Sequence, residues 1–85
     1  MPNARRTAST DTGVSTLDRA VAIIGAVEAG ARTFTDVART TRLPRSTAHR
    51  LLKALAAHGL LAFDPGDGYR LGHRLVQLGG RARLE

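Results

Sequence analysis

Asp64-Pro65-Gly66-Asp67-Gly68 restricts the fold more than any other stretch. All of these residues favour turns, and Pro65 cannot donate to a β-ladder. On either side the apolar residues alternate, Leu61 and Phe63 before the turn and Tyr69 and Leu71 after it. Period-two alternation around such a turn predicts a β-hairpin over about 61–71. Tyr69 is expected in the core, and Arg70, between Tyr69 and Leu71, on the opposite face. The periodic segments upstream repeat at helical spacing instead. A pure helical bundle and an extended sheet are both excluded, so the fold class is mainly α with a small β-hairpin.

Before the hairpin, Gly59 is a fitting helix stop and Pro44 a fitting first helical residue, which gives a helix over about 44–58. At ~100° per residue, Ala48, Leu51, Leu52 and Leu55 share one side of it. Ser46, Arg50 and Lys53 fall opposite, with Arg45, Thr47 and His49 on the flanks. Arg42-Leu43 form the preceding turn. A short helix ahead of the turn is expected to take Thr35 as its N-cap and Phe34 as the apolar staple before the cap. Asp36 then sits where the helix dipole favours an acid. Val37 and Ala38 face inward, and the pattern runs out near Thr41.

The first helix is expected from Ser15, because Ser15-Thr16-Leu17-Asp18 has the layout of a capping box. Its stripe of Leu17, Ala20, Val21, Ile24 and Val27 stops at Gly30. Ile23 lies to one side, so the apolar arc is wider than a small core requires. Either a second subunit covers the excess, with Ile23, Val27 and Leu75 as dimer contacts, or a fourth helix folds back over Ile23. That fourth helix is expected around Leu75, Val76 and Leu78, ending at Gly79-Gly80.

Helix, helix, tight turn, helix and hairpin in that order make a winged helix-turn-helix. The expected division is a flexible N-terminal arm (1–13), the winged domain (14–72) and a linker helix with the C-terminal end (73–85). A chain of 85 residues accommodates one small domain. Arg5 and Arg6 in the arm either reach a minor groove or belong to an untethered tail. No apolar stretch follows them, so they do not begin a secretory signal. No run is long enough to cross a bilayer, and the protein is expected in the cytoplasm without a membrane partner. The chain has no cysteine, which excludes disulfides, thiolate zinc sites and thiol catalysis.

The net charge is +6 and the pI about 11.5, a balance that draws polyanions. Between Arg32 and Lys53 lie Arg39, Arg42, Arg45 and Arg50 against a single acid, Asp36. A helix anchored by leucines that turns hydroxyls and cations outward suits the major groove. Arg50 can grip the two acceptors of guanine or a phosphate, and Thr47 can offer its methyl to a thymine. Ser46 and Lys53 suit phosphates, while Arg45 and His49 flank the same face. Arg70 on the wing can reach a phosphate or a minor groove, or be an ordinary exposed strand residue. His49, His58 and His73 have no nucleophile, phosphate loop or metal-ligand spacing around them, so no enzyme, metal or cofactor is expected. A winged-helix protein-interaction module is the competing class, since fold does not dictate DNA binding. The retained cations Arg45, Arg50 and Lys53 favour DNA.

Several stretches resemble the N-terminal domain of IclR-type transcription regulators. They are Ser15-Thr16-Leu17-Asp18-Arg19-Ala20, Thr35-Asp36-Val37-Ala38-Arg39, Leu43-Pro44-Arg45-Ser46-Thr47-Ala48-His49-Arg50-Leu51-Leu52, Gly59-Leu60-Leu61 and Gly68-Tyr69-Arg70-Leu71-Gly72. The resemblance covers roughly residues 14–79. It implies a homodimer on a palindromic operator in double-stranded DNA that represses or activates nearby genes. It also implies a larger C-terminal domain that binds a metabolite. Effector binding does not carry over, because this sequence stops just past the linker helix, as an excised domain or a natural short form. Dimerisation without that domain is expected to be weak.

Overall fold

A computed structural model of the chain describes residues 12–82, so Arg5 and Arg6, with the arm up to residue 11, lie outside the described residues. The element order is α1 (Ser15–Glu28), α2 (Phe34–Thr41), α3 (Arg45–Ala57), β1 (Leu61–Asp64), β2 (Gly68–Leu71) and α4 (His73–Arg81). The strands pair antiparallel, Leu61 opposite Leu71 and Phe63 opposite Tyr69, which makes the hairpin the wing of a winged helix-turn-helix. The core joins Ile23 and Val27 of α1, Val37 of α2, Leu52 and Leu55 of α3 and Leu61 of β1. Tyr69 packs against that core, as the alternation requires.

Helix α1 starts where expected but is capped differently. Its N-cap is Val14, without a side-chain bond. The Asp18 carboxylate is occupied by Thr12, whose amide donates to it at 3.0 Å and whose hydroxyl donates at 2.7 Å. The Ser15–Asp18 capping box is therefore absent, because a residue upstream satisfies the acid first. At the other end Gly30, with φ +120°, lets the Ala31 amide reach the Ala26 carbonyl and close the last turn.

The face that α1 turns inward is also rotated from the expected stripe. Ile23 and Val27 are 0% and 1% exposed, whereas Leu17 and Val21 are 56% and 53% exposed. The expectation of Ile23 and Val27 as dimer contacts is thereby corrected: both are consumed by the core of their own chain. Helix α4 does not cover Ile23 either, since no residue of α4 is fully buried and Leu75 is only half-buried. Nor does α4 stop at Gly79-Gly80. It runs through both to Arg81, and the Ala82 amide still donates to Leu78 at 2.9 Å.

Helix α2 begins two residues earlier than the sequence suggests. The N-cap is Thr33, whose hydroxyl oxygen accepts the Asp36 amide at 3.0 Å, and Phe34 is the first helical residue instead of the staple before a Thr35 cap. The Thr33 hydroxyl lowers the Asp36 pKa below its usual 3.8, assisted by the backbone of Arg32 and Thr33 and by the charge of Arg39. That stabilisation is present above the unfolded carboxylate's pKa and is lost as pH falls through the lower folded value. Thr33→Ala is expected to cost about 1 kcal/mol and lower Tm by about 4–8 °C. It should also return the Asp36 pKa, followed by NMR titration, toward 3.8. Thr35→Ala should leave both unchanged.

Two further joints set the wing against the helices. The α1–α2 loop lies beside β2, where the Tyr69 amide donates to the Arg32 carbonyl at 2.8 Å. The chain after α3 turns at Gly59, whose φ of +75° few other residues adopt without strain. Gly72, at the end of β2, donates to the Leu60 carbonyl at 2.9 Å, and the Arg74 amide donates to the Gly59 carbonyl at 3.0 Å.

Candidate nucleic-acid interface

Helix α3 is built from its inner face outward. Ala48, Leu52 and Leu55 are buried and Leu51 half-buried against the core, which fixes the rotation of the helix. The same rotation leaves Arg45, Ser46, His49, Arg50 and Lys53 exposed and Thr47 half-buried, as the wheel predicts. The helix begins at Arg45, one residue later than expected, because Pro44 (φ −57°, ψ 146°) is its N-cap. Its first amides thus open toward the side where Arg45 and Ser46 stand.

Among the described residues Arg50 and Lys53 of this set, like Arg70 on the wing, carry no hydrogen bond or ion pair, whereas Arg39 pairs with Asp36 at 2.9 Å. Arg42 ends α2 in a left-handed conformation (φ 60°) and is also exposed, so one more cation stands at the turn into α3. Arg70 projects from β2 opposite Ala62, on the face away from Tyr69, and is exposed. Of the remaining expected positions, Leu75 lies on α4 and is not part of this face.

The α1–α2 loop, the start of α2, His49 of α3 and the wing line an open cleft of about 610 Å³. Phe34, His49, Phe63 and Tyr69 are its ring-bearing lining residues. The Phe63 and Tyr69 rings are 4.9 Å apart between centroids, and Phe63 is 57% exposed. The Phe34 ring meets the His49 ring edge-on, 6.0 Å between centroids and 78° between planes. The Arg45 guanidinium carbon lies 4.6 Å from the Phe34 centroid. Sequence reasoning gave Phe34 only a packing role. The available signal was the four-residue spacing of Arg45 and His49, but their common partner comes from a different helix.

What this arrangement offers is a row of exposed donors on α3 and the wing that find no acceptor among the described residues. Among the described residues no three His, Asp or Glu side chains come close enough to hold a metal ion, and no helix is long and apolar enough to cross a membrane.

Known proteins share this construction. Residues 16–65 match the IclR helix-turn-helix domain. The glycerol operon regulatory protein of Streptomyces griseus is 36% identical over 69 residues, which are 78% of this chain and 27% of that protein. The HTH-type transcriptional regulator XynR of Escherichia coli K12 is 45% identical over 47 residues, 54% of this chain and 19% of XynR. The crystal structure of an IclR homolog from Microbacterium sp. strain HM58-2 superposes with a TM-score of 0.70 at 35% identity, covering 79% of this chain and 29% of that one. The chain thus spans about a quarter of the length of these relatives. Because the match takes in both α2 and α3, the turn between them and the first strand of the wing, the chain belongs to the IclR family through its helix-turn-helix domain.

Proposed function

We propose that the chain is the DNA-binding part of a cytoplasmic transcription regulator and catalyses no reaction. The observation that carries this is α3, whose buried leucine face holds an opposite face of exposed, internally unpaired cations and hydroxyls. In this reading α3 enters the major groove. Arg50, with Thr47, reads base edges, while Ser46 and Lys53 meet phosphates and Arg45 and His49 border the groove. The wing follows with Arg70 on a phosphate or in the adjacent minor groove.

Regulators that read palindromes pair their recognition helices about one DNA turn, ~34 Å, apart or a multiple of it. We assign the pairing surface to the exposed Leu17 and Val21 on α1, with Leu75 of α4 as a further contact, in place of the buried Ile23 and Val27. So few apolar side chains make a small interface, so the homodimer is weak in free solution and forms cooperatively on the operator.

The division of labour along α3 is open to measurement by fluorescence anisotropy on a duplex enriched from a random pool. Arg50→Ala should cost about 1–3 kcal/mol on that duplex and relax its sequence preference. Lys53→Ala should weaken all sequences similarly and lower the salt slope by about one. Identical behaviour of the two variants would overturn this division of labour along α3.

A further inference from the structure

We infer that Phe34 is a positioning residue for DNA recognition, because its ring holds the Arg45 guanidinium in place on the exposed side of α3. This deepens the DNA-binding function proposed above and rests on it. Phe34 is half-buried at the first position of α2 and packs against the core, so its ring is fixed by the body of the domain and not by α3 itself. Arg45 is the first residue of α3, and its guanidinium carbon sits 4.6 Å from the ring centroid. His49, one turn further along the same side, meets the same ring edge-on.

The geometry matters because a guanidinium stacked on a ring uses its face and leaves its in-plane N–H donors free. Among the described residues those donors have no hydrogen bond or ion pair. A long arginine on a bare helix must lose its rotamer freedom when it binds. Stacked on Phe34, Arg45 has lost much of it already, with its donors facing outward at the start of α3. Phe34 thus raises affinity through Arg45 without touching DNA. The apolar face alone would not do this: a leucine at position 34 can fill the same core space but has no π-face for a cation.

A double-mutant cycle on the 85-residue chain tests this, with the enriched duplex as probe and anisotropy as readout. Phe34→Leu is expected to weaken binding about 3- to 20-fold, with Phe34→Tyr restoring most of it. In an Arg45→Ala background the same change should have less than about a twofold effect, whereas in an Arg50→Ala background the full loss should remain. Thermal melts of each variant report packing separately, and a purely structural role would give the same loss in every background. That equal loss would overturn the proposal. So would an Arg45→Ala variant that binds like the parent, since Phe34 would then have nothing to position while DNA binding stands. If the parent chain itself showed no salt-dependent binding to any duplex, the DNA-binding function would fall, and this inference with it.

Discussion

Raising salt from about 50 to about 200 mM is expected to weaken DNA binding about 60- to 4,000-fold. The range follows from a slope of roughly −3 to −6 in log affinity against log salt, at ~0.9 per neutralised phosphate. The physical basis is that Lys53, Arg70 and their exposed neighbours are unpaired in the free protein, so contact with phosphates releases counterions from the DNA without first breaking protein ion pairs. Arg39 is the counter-case. Its guanidinium is 2.9 Å from Asp36, so Arg39→Ala should change the slope less than Lys53→Ala does. Anisotropy titrations at four or five salt concentrations suffice. A flat response would mean that the exposed cations of α3 and the wing do not face nucleic acid.

Gly72→Ala is expected to be among the most damaging small changes in the domain. A Cβ there would fall on the Gly59 carbonyl oxygen, with the Gly59 and Leu60 carbonyl carbons at 2.7 and 2.8 Å. All three are backbone atoms and cannot swing aside as a side chain can. They also belong to the joint where Gly72 donates to Leu60 and Arg74 to Gly59. Forcing them apart separates the turn after α3 from the end of β2. A loss of about 3 kcal/mol or more is expected, or about 12–24 °C in Tm for a domain of this size. Such a domain holds only about 4–13 kcal/mol in total, so the variant should be partly unfolded near 37 °C. Gly25→Ala supplies the opposite sign. Nothing lies within 4 Å of a Cβ at that position inside α1, so alanine should stabilise by about 0.5–1 kcal/mol through helix propensity. If circular dichroism melts showed Gly72→Ala melting at or above the parent, the close approach at Gly72 would not be a tight one.

What could be read from the sequence divides along a physical line. The hairpin and α3 were legible because each is specified locally: turn formers between alternating apolar residues in one case, leucines at helical spacing before a glycine in the other. The exposed positions of Arg50 and Lys53 follow from those leucines, whose burial leaves the cations nowhere else to go. The cap of α2 was not legible, since Thr33 and Thr35 flank Phe34 and either fits the rule. The choice is made by the α1–α2 loop, which is bound to β2 through the Arg32 carbonyl and delivers Thr33 to the cap position. The rotation of α1 is a similar case. Its apolar arc is broad enough to accept several orientations, and only the partners it meets in α2, α3 and β2 select Ile23 and Val27 over Leu17 and Val21. In the site, the Phe34–Arg45–His49 grouping spans two helices, and periodicity describes one helix at a time.

The bond between the Tyr69 amide and the Arg32 carbonyl has a bearing on how the protein behaves when concentrated. A two-stranded ribbon normally offers unpaired amides and carbonyls along its outer edges, which can template strand addition from a neighbouring chain. Here the outer side of β2 meets the α1–α2 loop, and Tyr69 is already spoken for. Each strand is only four residues long, which leaves little edge to template. The wing can therefore carry an exposed Phe63 at its tip without becoming a nucleus for intermolecular β-pairing.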